Sequence, residues 1–125
     1  SYATKDYEWD RVLDLFPKLT TLMDRKGGNL SGGERQMILM AQSLLGKPYL
    51  VLMDEPTEGL APHVIDDLKQ VFKKISKEST LVIIEQNLPL TAEVADRVYA
   101  MTEGKLVAEI TDKKEIQDLE FEKYL

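Results

Sequence analysis

At 125 residues the chain can form one domain with a modest core, and 43% hydrophobic with 30% charged residues is a globular composition. Asp and Glu outnumber Lys and Arg by 22 to 16, and a net charge of -6 without a long basic tract argues against a nucleic-acid groove. The absence of cysteine excludes disulfides and thiolate metal sites, and no apolar run approaches the ~20 residues that span a bilayer.

The amino terminus lacks the basic-then-apolar pattern of a signal peptide and does not start with Met, as expected of a soluble chain cut from something longer. Trp9, Val12, Leu13, Leu15 and Phe16 make residues 7–16 a short amphipathic helix that Pro17 stops. A looser segment, KLTTLMDRKGGN, follows. From Glu34 to Leu45 the apolar positions Met37, Ile38, Met40, Ala41, Leu44 and Leu45 recur at helical spacing, and Gly46 and Pro48 end that helix. YLVLMDEP (49–56) is a continuous apolar run closed by acid and proline, the pattern of a strand buried on both faces of a parallel sheet.

HVIDDLKQVFKKIS predicts a helix with Val64, Ile65, Leu68, Val71, Phe72 and Ile75 on one face, its VFKKISK lysines solvated. TLVIIEQN is a second buried strand, PLTAEVAD a short helix, and RVYAMTEGKLVAEI two strands around a Glu-Gly turn. A last helix, about 112–119, opens with Asp112 and Glu115 at capping-box spacing. The strand–helix–strand order from 49 to 84 argues α/β with parallel strands.

Two stretches carry chemistry. In NLSGGERQM (29–37), Ser31 and Glu34 stand in the S-x-x-E relation of a capping box. A cap alone does not account for Gly32 and Gly33, which are poor helix formers at the first helical positions. Missing side chains let another molecule approach the backbone, and open amides, a hydroxyl and the positive dipole end suit a phosphate. Both readings stand, and they are compatible. In LVLMDEPTEGLAP, Asp54 and Glu55 fall at the carboxyl end of an apolar strand, where open α/β sheets place their ligand crevice. Alternation along a strand sends the two acids in different directions, so one could hold Mg²⁺ while the other polarises a water. Glu85 ends the second strand, followed by Gln86 and Asn87, whose amides suit either a phosphate or a helix cap. His63, the one histidine, reads as an exposed helix residue.

LSGGE (30–34) resembles the signature motif of ABC-type ATPases, and LVLMDEPTEGLAP (50–62) resembles their Walker B segment and D-loop. The pair in this order, bridged by one helix, is far more specific than either motif alone. LFPKL, EGLAP and EQN make the chain similar to ATP-binding subunits of branched-chain amino-acid importers and their urea or amide relatives. The resemblance implies a P-loop NTPase fold of α/β class, with residues 1–46 in the helical signature subdomain, 47–110 in the Walker B and switch core, and 111–125 as a carboxyl-terminal helix and tail. It further implies that Ser31, Gly32, Gly33 and Glu34 form the nucleotide-contacting turn, against the γ-phosphate of an ATP held mainly by an opposing subunit. Asp54 would organise Mg²⁺, with Glu55 nearby acting on the attacking water, and Gln86 would occupy the switch position where the family commonly has histidine. The usual D-loop aspartate falls at Ala61; both departures also occur in the branched-chain group.

No G-x-x-x-x-G-K-[ST] occurs in the chain, so the resemblance is to the carboxyl-terminal half of such an ATPase, without the phosphate loop and glutamine loop. In the family's sheet order the phosphate-loop strand lies between those matching 80–84 and about 97–101. Its absence should leave two unsatisfied edges, so the chain is expected to self-associate, swap an element or rearrange its last strands. The implied partners are a second ATPase subunit, identical or homologous, and transmembrane permease subunits, at the cytoplasmic inner face of the cell membrane, with no nucleic acid. ATP hydrolysis is expected of the full-length parent and not of these residues alone. A non-enzymatic docking module, or part of a nucleic-acid-associated ABC ATPase, is the alternative; the latter would call for coiled-coil heptads or a basic tract.

Overall fold

The structure is a computed structural model, and it describes residues 2–25 and 27–125, with the side chains of residues 2–7 and 27 left aside. Two compact units divide the chain after Ile84.

The first unit opens with α1 (Tyr2–Leu15), which begins well ahead of the expected residue 7. Phe16 leaves the helix, and Pro17 starts a 3₁₀ turn, Pro17–Thr21, that buries Leu19 where the sequence suggested only a loose segment. A proline is tolerated at that first position because its missing N–H has no partner to lose. Then come α2 (Gly32–Ser43), β1 (Leu50–Asp54), α3 (Pro62–Ile75) and β2 (Thr80–Ile84). β1 and β2 pair in parallel, Leu50 opposite Thr80 through Asp54 opposite Ile84, as the strand–helix–strand order requires.

On α3, Leu68, Val71, Phe72 and Ile75 are buried, one stripe at helical spacing. Together with Val12, Leu15, Phe16, Leu19, Leu22, Met37, Met40, Ala41, Leu44, Val51 and Met53 they form the apolar core of this unit. Ion pairs reinforce it: Arg11 holds Glu78 at 2.9 Å and also donates to the Leu44 carbonyl at the end of α2, and Lys18 pairs with Asp67 of α3.

One expectation fails here. The strands are not buried on both faces: along β1 exposure alternates, with Val51 and Met53 buried and Leu50, Leu52 and Asp54 exposed. β2 repeats the pattern, its Thr80, Val82 and Ile84 exposed. Side chains alternate along a strand, so a layer on one side of the sheet shelters every second residue and leaves the intervening apolar ones in water.

The second unit begins with α4 (Leu88–Val94), capped by Asn87, whose Oδ1 accepts the Leu90 N–H at 3.0 Å. β3 (Val98–Thr102) and β4 (Lys105–Ile110) form an antiparallel hairpin with an irregularity after Ala100. Glu103 and Gly104 both take positive φ, 50° and 73°, as a turn matched to strand twist demands. α5 (Lys113–Gln117) is shorter than expected; Asp112 caps it, and a 3₁₀ turn, Glu120–Tyr124, follows. Val98, Ile110, Ile116 and Phe121 are the core of this unit.

Among the described residues the strands form two two-stranded sheets, β1 with β2 and β3 with β4. In a two-stranded sheet each strand is an edge, and this is the liability the sequence predicted for these segments. Among the described residues no helix is long and apolar enough to cross a membrane.

Candidate functional site

The turn at Ser31 is a closed capping box. Ser31 has extended backbone, its Oγ accepts the Glu34 N–H at 3.2 Å, and its own N–H donates to Glu34 Oε2 at 2.8 Å. The other carboxylate oxygen, Oε1, faces Arg25 Nη1 at 3.4 Å. α2 therefore starts at Gly32, as the capping box at Ser31 requires, with both glycines inside its first turn. Their N–H groups have no carbonyl four residues back, which is the condition for a helix start to receive an anion. A hydroxyl that accepts one bond can still donate its own proton, so capping leaves Ser31 able to donate to a ligand oxygen.

The two glycines differ. A Cβ at Gly32 would meet nothing within 4 Å, whereas one at Gly33 would sit 3.3 Å from Val64 Cγ1 and 3.6 Å from Leu60 Cδ2. Gly33 is therefore explained by packing within the chain, and Gly32 presents open backbone. Replacing Ser31 with alanine removes the cap acceptor and is expected to lower stability by about 1 kcal/mol. A urea titration with an unchanged m-value checks it; no loss would mean that the cap does not hold this helix start.

The second part of the site is the carboxyl end of β1. Asp54 is the last residue of the strand and lies in the exposed row with Leu50 and Leu52. Glu55 follows with φ 46°, in the left-handed region, and its N–H donates to the Ile84 carbonyl at 2.8 Å. The two acids differ in orientation for a reason the sequence did not contain: the strand ends between them, and the backbone turns over at the second. A non-glycine residue held there costs of order 1–3 kcal/mol, and such strain gathers at functional positions. Turns carry the chain onward, Glu58 N–H to the Glu55 carbonyl at 3.1 Å and Leu60 N–H to the Thr57 carbonyl at 3.2 Å, with Gly59 at φ 70°. Pro56 and Thr57 are buried beneath this turn.

Asp54 and Glu55 are thus adjacent by sequence and by fold, and the Gly33 contact brings the Ser31 turn against the segment that follows them. Among the described residues no group of three or more His, Cys, Asp or Glu could hold a metal ion. Asp54, exposed at the end of β1, offers a carboxylate oxygen donor of the kind Mg²⁺ takes one or two of beside its waters.

Residues 85–87 lie in the second unit. Glu85 Oε2 accepts the N–H groups of both Gln86 and Asn87 at 3.0 Å, and Asn87 caps α4. Of the three, Gln86 alone is exposed. His63 is an exposed residue of the first turn of α3. Sequence reasoning missed Arg25, Thr57 and Val64. Thr57 was legible as a polar residue inside an otherwise turn-forming segment, but the partners of Arg25 and Val64 come from tertiary contact.

A model of the ABC transporter family matches residues 3–58, a span that includes the Ser31–Glu34 turn and both Asp54 and Glu55. The high-affinity branched-chain amino acid transport ATP-binding protein BraG of Pseudomonas aeruginosa is 38% identical over 105 residues, covering 82% of this chain and 45% of that protein. A probable branched-chain amino acid transport ATP-binding protein, LivF, of Archaeoglobus fulgidus is 35% identical, covering 91% of the chain and 49% of the relative. The crystal structure of the ADP conformation of an ATP-binding cassette of an ABC transporter matches 90% of the chain and 44% of its own, with TM-score 0.76 and 33% identity. The chain spans about half the length of the curated relatives it matches. It belongs to the ABC-transporter ATP-binding family, with a P-loop NTPase α/β fold, and within that family it is similar to the branched-chain amino-acid transport proteins.

Proposed function

We propose that the chain is the part of an ATP-hydrolysing importer subunit that carries the signature turn, Walker B acids and D-loop, in the 1–46, 47–110 and 111–125 division stated above. The observation that carries this reading is the pairing of a capped helix start open at Gly32 with a strained acid, Glu55, directly after Asp54. Ser31 and the Gly32 and Gly33 amides would meet the γ-phosphate of an ATP seated mainly on a second ATPase subunit. Asp54 would hold Mg²⁺, which supplies charge neutralisation between phosphate oxygens when bound. Glu55 would take the proton of the attacking water, and Gln86 would hydrogen-bond the phosphate through its amide.

The transported solute is a branched-chain amino acid or a related small polar solute, a reading supported by the names of the relatives, among which a glutamine transport ATP-binding protein of Bacillus subtilis also appears at 38% identity. Permease subunits would receive the resulting movement, which places the assembly at the inner, cytoplasmic face of the membrane. Isothermal titration with ATP and Mg²⁺ is expected to show no tight binding by the 125 residues alone, and no phosphate release. Turnover by the purified chain that disappears on Glu55→Gln would overturn the half-site reading.

A further inference from the structure

The pair of glycines in the signature turn divides its labour, and the division identifies two residues outside the motif. Gly33 is the second residue of α2, and Val64 lies in the first turn of α3. A Cβ at Gly33 would press on Val64 Cγ1 at 3.3 Å and stand in ordinary contact with Val64 Cγ2 at 3.5 Å and Leu60 Cδ2 at 3.6 Å. At 3.3 Å the neighbour must give by a few tenths of an ångström, so a side chain at Gly33 would displace the half-buried Val64. Leu60 and Val64 are themselves fixed by local hydrogen bonds, Leu60 N–H to the Thr57 carbonyl at 3.2 Å and Val64 N–H to the Ala61 carbonyl at 2.9 Å. The same run of chain begins at Glu55, whose N–H is tied to β2. A continuous path of contacts therefore joins the Ser31–Glu34 turn to the turn that follows the two acids.

We propose that Val64, with Leu60, is a positioning residue for the signature turn, seating the Cα of Gly33 so that the Ser31–Gly32 face and the Glu55–Leu60 turn keep one fixed relation. The value of that relation to catalysis rests on the nucleotide reading above; the contact itself does not. Val64→Ala removes both methyls that seat Gly33, and Val64→Ile keeps two γ-carbons there. Gly33→Ala intrudes on Val64, while Gly32→Ala enters open space and serves as the control.

The test is a set of two-dimensional ¹H–¹⁵N spectra and amide exchange rates on the full 125-residue chain, without nucleotide. In Val64→Ala the Gly33 and Glu34 amide signals are expected to move and the Glu34 N–H to exchange several-fold faster, and in Val64→Ile both return toward the original values. Gly33→Ala is expected to displace the Leu60 to Val64 amide signals, an effect lost in the Val64→Ala background, and Gly32→Ala to disturb α2 alone. Should a variant fold poorly, Leu60→Ala reads the same coupling from the other side of the glycine. Val64→Ala leaving the Gly33 and Glu34 signals in place, or Gly33→Ala matching Gly32→Ala, would overturn the proposal. No arm contains ATP, so the failure of this contact and the failure of the ATPase reading are separately visible.

Discussion

Glu55→Gln is expected to reduce ATP turnover by about 10²–10⁴-fold in a cassette where a phosphate-loop half is supplied to this chain, the range that a positioned general base contributes. Glutamine keeps the size and the hydrogen-bonding reach of glutamate but cannot take a proton from water. Glu55 sits at φ 46° and its N–H donates to the Ile84 carbonyl, a backbone bond that glutamine keeps, so the variant is expected to retain the turn. Nucleotide affinity should therefore survive while turnover is lost. Phosphate release assayed beside nucleotide binding separates the two, and a variant losing both equally would show that Glu55 shapes the turn and does no proton chemistry.

The second large effect concerns assembly. Leu52 is 72% exposed and Ile84 60% exposed, on the same uncovered side of the β1–β2 sheet. Burying one such side chain fully is worth about 1.5–3 kcal/mol, and each strand of this pair also has an unpaired backbone edge. The chain by itself is expected to sediment at twice its monomer mass or more at tens of micromolar. Converting Leu52 and Ile84 to lysine should return it to monomer mass, because charge on an exposed strand blunts association. A wild-type chain that stays monomeric under the same conditions would show that this surface does not associate.

Much of this was legible in the sequence, for identifiable reasons. Helical spacing at Leu68, Val71, Phe72 and Ile75 located the buried stripe of α3, and S-x-x-E located a capping box whose reciprocal bonds the structure contains. Glu103-Gly104 marked the hairpin because its turn needs positive φ at both positions. The sheet was misjudged because an apolar run reports composition on both faces, while burial depends on what covers each face. Leu50, Leu52, Val82 and Ile84 look like core in sequence and are exposed in this chain. Within the site, the second glycine of the signature turn looked like ligand space, yet Val64 and Leu60 fill the region beside it. No local pattern couples residues 33 and 64. The left-handed backbone at Glu55 was equally invisible, since the residue type does not announce it and its N–H bond to the Ile84 carbonyl is a tertiary contact.

The division of the strands into a hairpin and a parallel pair leads to an expected order of folding events. β3 and β4 meet through a two-residue turn, so their pairing closes almost no loop and belongs to the microsecond class of hairpins. β1 must wait for β2 to return across the whole of α3, and parallel pairing of that kind carries a larger loop-closure entropy before any contact rewards it. During that interval the apolar strand Leu50–Asp54 lacks its β2 partner. The carboxyl-terminal hairpin would then be complete while the strand bearing the acids is still exposed, which makes the interval before β2 arrives the one in which a chaperone has most to shield.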